Sequence, residues 1–245
     1  MEPSIYTLMA TLEENHWWFT ARRAIAENII KQLDLPPVAK ILDAGCGTGG
    51  NLAMLSRYGQ VHAMEMDDQA RQMANAKGFA QVLSGRLPDE VPYQQEQFDL
   101  IVLLDVLEHV EDDRNTLRVL GSLLKPGGCL FISVPAFPFL WSMHDEVHHH
   151  KRRYFLSELK SKLENAGLEI AYTSYFNTVL FPLIFGARQL GKLRANKRDS
   201  GDLAMPTPFI NRLLFALFSS ERFVLGRWSL PFGVSAMAIA RKGNR

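Results

Sequence analysis

The feature that most restricts this chain is a cluster of four glycines within six residues, Gly45-Cys46-Gly47-Thr48-Gly49-Gly50. It follows a short apolar run, Lys40 to Asp43, and leads into a helical pattern that begins near Asn51. Glycine lets the backbone turn tightly and lets N–H groups approach a ligand at a helix N-terminus. An acidic side chain, Glu65, ends the next apolar run about twenty residues later, where a carboxylate reaches a ribose diol. A strand, a glycine turn, a helix and a distal acid in that order predict an α/β sheet that binds a nucleoside. Two spacings coexist, Gly45-x-Gly47-x-Gly49 and Gly45-x-Gly47-x-x-Gly50, so the turn alone does not say which nucleoside.

The rest of the chain keeps the rhythm that such a turn requires. Ala21 to Leu33 is helically periodic and stops before Pro36 and Pro37. Val61–Glu65, Phe98–Leu104, Cys129–Val134 and Leu168–Tyr175 read as strands, with helices at Asp68–Lys77, Asp113–Leu124 and Leu156–Ala166. Strands alternating with helices of about ten residues predict a parallel sheet covered on both faces. Between Tyr175 and Pro231 the rhythm breaks. Two apolar stretches there, Val179–Phe185 and Ile210–Phe218, predict a helical insertion, and Val234–Ala240 a final strand. The expected division is a helical lid over residues 1–39, a nucleoside-binding core over 40–177, a helical cap over 178–228 and the final strand over 229–245.

Composition removes several classes of function. Basic and acidic residues number 27 and 26, a net charge of +1, which gives no electrostatic case for nucleic acid as partner. The two cysteines, Cys46 and Cys129, supply neither a disulfide framework nor metal-ligand spacing, so a reducing cytoplasm is the expected setting. Met1-Glu2-Pro3-Ser4 lacks the pattern of a secretory signal, and no run nears the roughly 18 apolar residues of a membrane span. The expectation is a soluble protein that touches a membrane at its surface at most.

Asp43, two residues before the first glycine, separates the ligands that the turn leaves open. A carboxylate repels the pyrophosphate of a nicotinamide dinucleotide and attracts the ammonium of an amino-acid nucleoside. Around it the chain resembles the class I S-adenosylmethionine-dependent methyltransferases. ILDAGCGTGG (Ile41–Gly50) is similar to their first motif and VHAMEMD (Val61–Asp67) to their second. FDLIVLLDVLEHV (Phe98–Val110) resembles their fourth-strand motif, and LLKPGGCLFISVP (Leu123–Pro135) their turn into the fifth strand. HWWFTARR (His16–Arg23) and LWSMHDEVHHHKRRY (Leu140–Tyr154) resemble a bacterial subgroup of the type 11/12, ubiquinone-biosynthesis-like family.

The resemblance implies a doubly wound, mostly parallel seven-stranded sheet with an antiparallel last strand and a helical insertion. It also implies S-adenosylmethionine as cofactor. The implied reaction is in-line methyl transfer to oxygen or nitrogen of a small-molecule, lipid-linked or glycan-linked acceptor. The competing readings are a cofactor-binding scaffold without turnover and a nicotinamide-dependent oxidoreductase.

By the same resemblance, Gly45, Gly47 and Gly49 would line the methionine tail, with Asp43 near its ammonium group. Glu65 would bind both ribose hydroxyls, and Met66 would pack on the adenine. Leu104 would offer its carbonyl to the ammonium, beside Asp105. Relatives often carry Gly-Asp after the third strand, whereas this chain has Gly85-Arg86, which leaves the adenine amine to the Leu87 backbone. Trp18 would shield the cofactor, and Arg22 or Arg23 would pair with its carboxylate.

Two segments point to the acceptor. The histidine-rich stretch Trp141–Tyr154 follows the fifth strand, at the sheet edge where ligands bind. His144 and His148 are four apart, but Asp145 occupies the position that a metalloprotease helix fills with Glu, so no metal is expected there. His144, Asp145 and His150 are instead the group expected to position the acceptor or take its proton. His109 is expected to be structural or to lie near the cofactor. Val179–Arg198, apolar and then basic, reads as a buried helix or as a cap over an apolar acceptor or membrane surface.

Overall fold

A computed structural model describes residues 3–95, 97–193 and 204–243 of the chain. Seven strands form one sheet in the order β3-β2-β1-β4-β5-β7-β6. They are β1 (Ala39–Ala44), β2 (Gly59–Glu65), β3 (Val82–Ser84), β4 (Phe98–Leu104), β5 (Leu124–Pro135), β6 (Leu168–Phe176) and β7 (Ser235–Lys242). β7 lies between β5 and β6 and runs antiparallel to both, while β1 through β5 pair in parallel. The expected doubly wound sheet with an antiparallel last strand is what the chain forms.

The apolar runs are continuous because both sheet faces are covered. Ile41, Leu100, Val102 and Phe131 face one core with Ile25 and Ile29 of α2 (Trp17–Lys31). Leu42, Ile101, Leu103 and Ile132 face the other with Leu117 and Leu120 of α5 (Asp113–Leu123) and Leu159 of α7 (Leu156–Asn165). α2 begins earlier than its periodicity suggests because His16 caps it, its Nδ1 accepting the Trp18 N–H at 3.3 Å. The helix after the glycine turn, α3 (Leu52–Leu55), is a single turn, and α4 (Asp68–Ala76) is capped by Asp67. β5 starts five residues before Cys129. Leu124 pairs with Phe98, and the ladder resumes at Cys129 opposite Leu100 after a register shift.

Three elements were not anticipated individually. α1 (Pro3–Leu12) lies ahead of α2, β3 is a three-residue edge strand, and α6 (Met143–Val147) sits inside the histidine-rich stretch. The insertion holds α8 (Phe181–Leu193) and α9 (Pro208–Ser219), and residues 194–198 of the apolar-basic stretch lie outside the described residues. α9 is tied to the start of α2 through Asn211. Its Oδ1 accepts the Trp17 N–H and its Nδ2 donates to the Asn15 carbonyl, both at 2.8 Å. Among the described residues no helix is long and apolar enough to cross a membrane.

Candidate functional site

The strand order reverses between β1 and β4, and a cavity of about 1890 Å³ opens at their carboxyl ends. That is the crevice in which open α/β sheets bind ligands. It exceeds the usual 300–1,000 Å³ of a small-molecule pocket, so it has room for two ligands side by side.

Its floor is the glycine turn. Gly45 and Gly47 have φ of +84° and +55°, a region that side chains rarely adopt. A Cβ on Gly45 would stand 2.9 Å from the Val106 methyls, whereas one on Gly47 would meet nothing within 4 Å. The first position is closed by protein, and the second is open on the cavity side. Gly49 departs from expectation. It is not on the cavity wall, and a Cβ there would press on Ala74 and Leu52, so it lets the turn pack on α3 and α4.

Two carboxylates flank the turn. Glu65 is buried at the end of β2, accepting the Gly47 N–H at 2.9 Å and the Asp67 N–H at 3.0 Å. These bonds aim its remaining lone pairs along the wall where a diol would lie. Asp43 sits behind the wall rather than on it, 1% exposed, and its Oδ2 has no hydrogen-bond partner. Burial pushes its carboxyl up to about 7, with nearby Arg22 pulling it down and Glu65 pushing it further up. From that position Asp43 would act on a bound cation through its field. A buried carboxyl that lacks a partner, beneath a cradle with open space, fits a cationic amino-acid nucleoside and opposes a pyrophosphate.

The aromatic-basic cluster forms one wall, and the structure distinguishes its two arginines. The Arg22 guanidinium lies 4.5 Å from the Trp18 ring centroid and is ion-paired with Asp105. Burial lowers its pKa to about 10, so it stays cationic. Arg23 is committed to backbone, donating to the carbonyls of Gly50 and of Glu13, the latter at 2.6 Å. Asp105 adopts φ +56° just past β4, and it lines the cavity together with Leu104, Met66 and Leu87.

The histidine-rich stretch forms the far wall. His144 and His150 line it, but Asp145 does not. Asp145 is fully buried, accepting from His150 Nδ1 and Arg153 Nε at 2.8 Å each, and from Arg153 Nη2 at 3.0 Å. Burial alone would raise its pKa, yet His150 and Arg153 hold it well below the carboxylate range. The expectation of Asp145 as a catalytic group is corrected to a positioning role, because a side chain sealed by Arg153 cannot touch an acceptor. Burial lowers His144 and His109 to about 3 and His148 to about 4, so these rings stay neutral near pH 7.

Some cavity residues escaped the sequence reading. Tyr6 and Met9 of α1, and Glu13 just past its end, reach the wall at a helical spacing that could have revealed them. Glu13 is buried, accepts from Thr48 Oγ1 at 2.8 Å and pairs with Lys77, which ties α1 to the glycine turn. Glu108 is 1% exposed with Oε2 unpartnered, and burial pushes its carboxyl up to about 8. Asn177, 1% exposed, lines the cavity with neither side-chain amide atom hydrogen-bonded. Its conformation, φ +59°, is held by Glu221, whose carboxylate accepts the N–H groups of Asn177, Thr178 and Val179 at 2.6–2.9 Å. No local sequence signal marks Asn177.

Comparison with known proteins supplies the family. The family described as "Methyltransferase domain" matches residues 17–173. A ubiquinone biosynthesis O-methyltransferase of Xanthomonas axonopodis is 31% identical over 154 residues, covering 55% of this chain and 64% of that protein. The chain thus matches somewhat under two thirds of that relative's length. An S-adenosylmethionine-dependent methyltransferase from Mesorhizobium loti shares the fold at 18% identity, with a TM-score of 0.58 over 94% of this chain and all of that one. A Haemonchus contortus phosphoethanolamine N-methyltransferase solved with S-adenosyl-L-methionine gives a TM-score of 0.59 at 16% identity, covering 91% of this chain and 52% of that one.

Proposed function

Because the chain belongs to the methyltransferase-domain family, we propose that it is an S-adenosylmethionine-dependent methyltransferase acting on oxygen or nitrogen of a small-molecule acceptor. The observation that carries this reading is the glycine turn flanked by two buried carboxyls, one of which, Asp43, has an oxygen without a partner. When bound, S-adenosylmethionine supplies a methyl group activated by its sulfonium.

The chain's own residues do the rest. Gly45 and Gly47 offer backbone to the methionine tail, and the Leu104 carbonyl and the Asp43 field favour its ammonium. Arg22 answers its carboxylate beside Asp105. Glu65 holds the ribose, and Met66 and the Leu87 backbone hold the adenine. Trp18 excludes water, with α1 and α2 as lid over the cofactor and α8 and α9 as cap over the acceptor. At the acceptor end, Asn177 presents an amide with open donor and acceptor capacity, and His144 and His150 surround the reacting atom with Asp145 orienting His150.

The acceptor is proposed to be apolar or lipid-linked. Ile184 of α8 lines the cavity while Leu183 beside it is exposed, so the two faces of α8 serve different surroundings. A change at Leu183 should therefore weaken contact with a membrane or bound lipid rather than reach the acceptor directly.

Calorimetry with S-adenosylhomocysteine and with NAD tests the cofactor. Binding of the first alone is expected, and binding of NAD alone would end the proposal. Transfer of labelled methyl to metabolites of a cell extract then tests turnover. A scaffold would bind S-adenosylhomocysteine and label nothing.

A further inference from the structure

We propose that Glu108, His109 and His150 bind one divalent transition-metal ion at the acceptor end of the cavity. The site's existence follows from geometry alone, and only its role toward an acceptor oxygen rests on the methyl-transfer reading. One ligand atom from each residue lies within 4.8 Å of the other two, and all three residues line the cavity. His144 and His148, four apart and not expected to hold a metal, take no part. The cluster joins two neighbours in a short turn after β4 to a histidine some forty residues on, so no local motif announces it.

Three observations separate this cluster from a chance gathering of polar groups. First, the His150 imidazole has one nitrogen already occupied and lies against the His109 ring. The His109 ring stands edge-on to that of His150 with centroids 4.8 Å apart, and His150 Nδ1 is 2.8 Å from Asp145 Oδ1. Histidines that ligate metals are held in this way, by a carboxylate or a backbone carbonyl that fixes the tautomer and frees the other nitrogen. Second, the carboxylate of Glu108 is buried and its Oε2 lacks any hydrogen-bond partner. Third, the two segments are stitched together independently of any ligand. The Lys151 N–H donates to the Glu108 carbonyl at 2.8 Å, and Arg152 Nη2 donates to the Glu111 carbonyl at 2.9 Å. Arg153 and Arg22, the nearby cations, are each paired with a carboxylate, Asp145 and Asp105.

Two imidazoles and one carboxylate favour Zn²⁺, Co²⁺, Fe²⁺ or Ni²⁺ over Mg²⁺ or Ca²⁺. Three protein ligands on a cavity wall also leave positions open toward that cavity, as in reactive rather than structural sites. The acceptor class that such a site suits has a hydroxyl, or two adjacent hydroxyls, beside its apolar body. A metal lowers the pKa of an oxygen that it binds, which makes loss of the hydroxyl proton to solvent easier before the oxygen displaces the sulfonium.

The test strips the full-length chain with a chelator and dialyses it against Zn²⁺, Co²⁺ or Mg²⁺ alone. Metal content is read by mass spectrometry, the visible spectrum of the Co²⁺ form is recorded, and S-adenosylhomocysteine affinity is measured in parallel. One Zn²⁺ or Co²⁺ per chain is expected, weakened at least tenfold by His109→Asn and by His150→Gln. Because either variant could fold poorly, the wild-type chain is also treated with a histidine-acylating reagent. Bound Zn²⁺ should protect His109 and His150. No stoichiometric uptake, binding of Mg²⁺ in preference to Co²⁺, or uptake unaltered in both folded variants would overturn the site. Uptake of Co²⁺ without any affinity for S-adenosylhomocysteine would sink the methyltransferase reading and leave the metal site standing.

Discussion

At the scale of the residue, neighbours in one turn can differ sharply in what they tolerate. Gly45→Ala places a methyl against Val106 in a left-handed conformation and should destabilise the fold. Gly47→Ala meets no protein atom, so its cost is the backbone strain of about 1 kcal/mol. In a chain of this length that lowers Tm by roughly 2–4 °C. Its methyl, however, enters the space assigned to the cofactor, and S-adenosylhomocysteine should bind about tenfold or more weakly by calorimetry, a loss near 1.4 kcal/mol. Equal loss of stability in both variants would contradict this division. Asp43 gives a pH signature. Its ionised form attracts the ligand's ammonium, and its pKa is raised to about 7, so affinity is full near pH 8 and falls as pH drops through 7. At pH 6 only about a tenth of the group is ionised, and affinity should fall by up to about tenfold. Asp43→Asn should flatten that profile, and a slope that survives the substitution would assign it elsewhere.

At the scale of elements, the histidine-rich stretch is held in place by its flanks. Tyr154, fully buried, donates from its hydroxyl to Asp113 Oδ2 at 2.9 Å, at the start of α5. Asp113 also pairs with Arg152 at 3.0 Å and Lys162 at 2.9 Å, which depresses its pKa against the opposing effect of burial. Tyr154→Phe removes a hydrogen bond to a charged acceptor and should cost about 2 kcal/mol, a fall in Tm of roughly 4–8 °C by thermal melting. An unchanged Tm would mean that the hydroxyl contributes nothing net. These ties also show what the sequence could and could not disclose. Long elements with a clear period, such as β1, β4, α5 and α7, were legible because burial repeats along them. β3 was not, since three residues at an edge carry no period. Glu65 and the glycines were legible because a strand, a turn and a helix in succession fix their positions. The pairing of Asp145 with His150 and Arg153 closes within one segment, whereas the approach of Glu108 and His109 to His150 comes from two loops meeting at the sheet edge. Their spacing along the chain records nothing of that meeting.

At the scale of the whole molecule, α9 is apolar on two faces, and among the described residues only one is packed. Phe218 is buried, and Leu214 and Phe215 are partly so, against the side that holds α2. On the other side Phe209, Ile210, Leu213 and Leu217 are exposed beside Arg212, and Phe223 and Trp228 are exposed in the turns that follow. A helix lying in the surface of an anionic bilayer has this composition, with apolar side chains entering the acyl boundary and arginine meeting the headgroups. The position suits an apolar acceptor, because α9 is hydrogen-bonded through Asn211 to the start of α2, which walls the cavity. Full-length protein should therefore co-sediment with vesicles rich in anionic lipid and less with neutral ones. The double substitution Phe209→Asp and Leu213→Asp should abolish sedimentation while leaving S-adenosylhomocysteine affinity unaltered, and Leu183→Asp on α8 should weaken it. Protein that stays in the supernatant at low salt with every vesicle composition would reassign this face, leaving the apolar acceptor to be argued from Ile184 and the cavity alone.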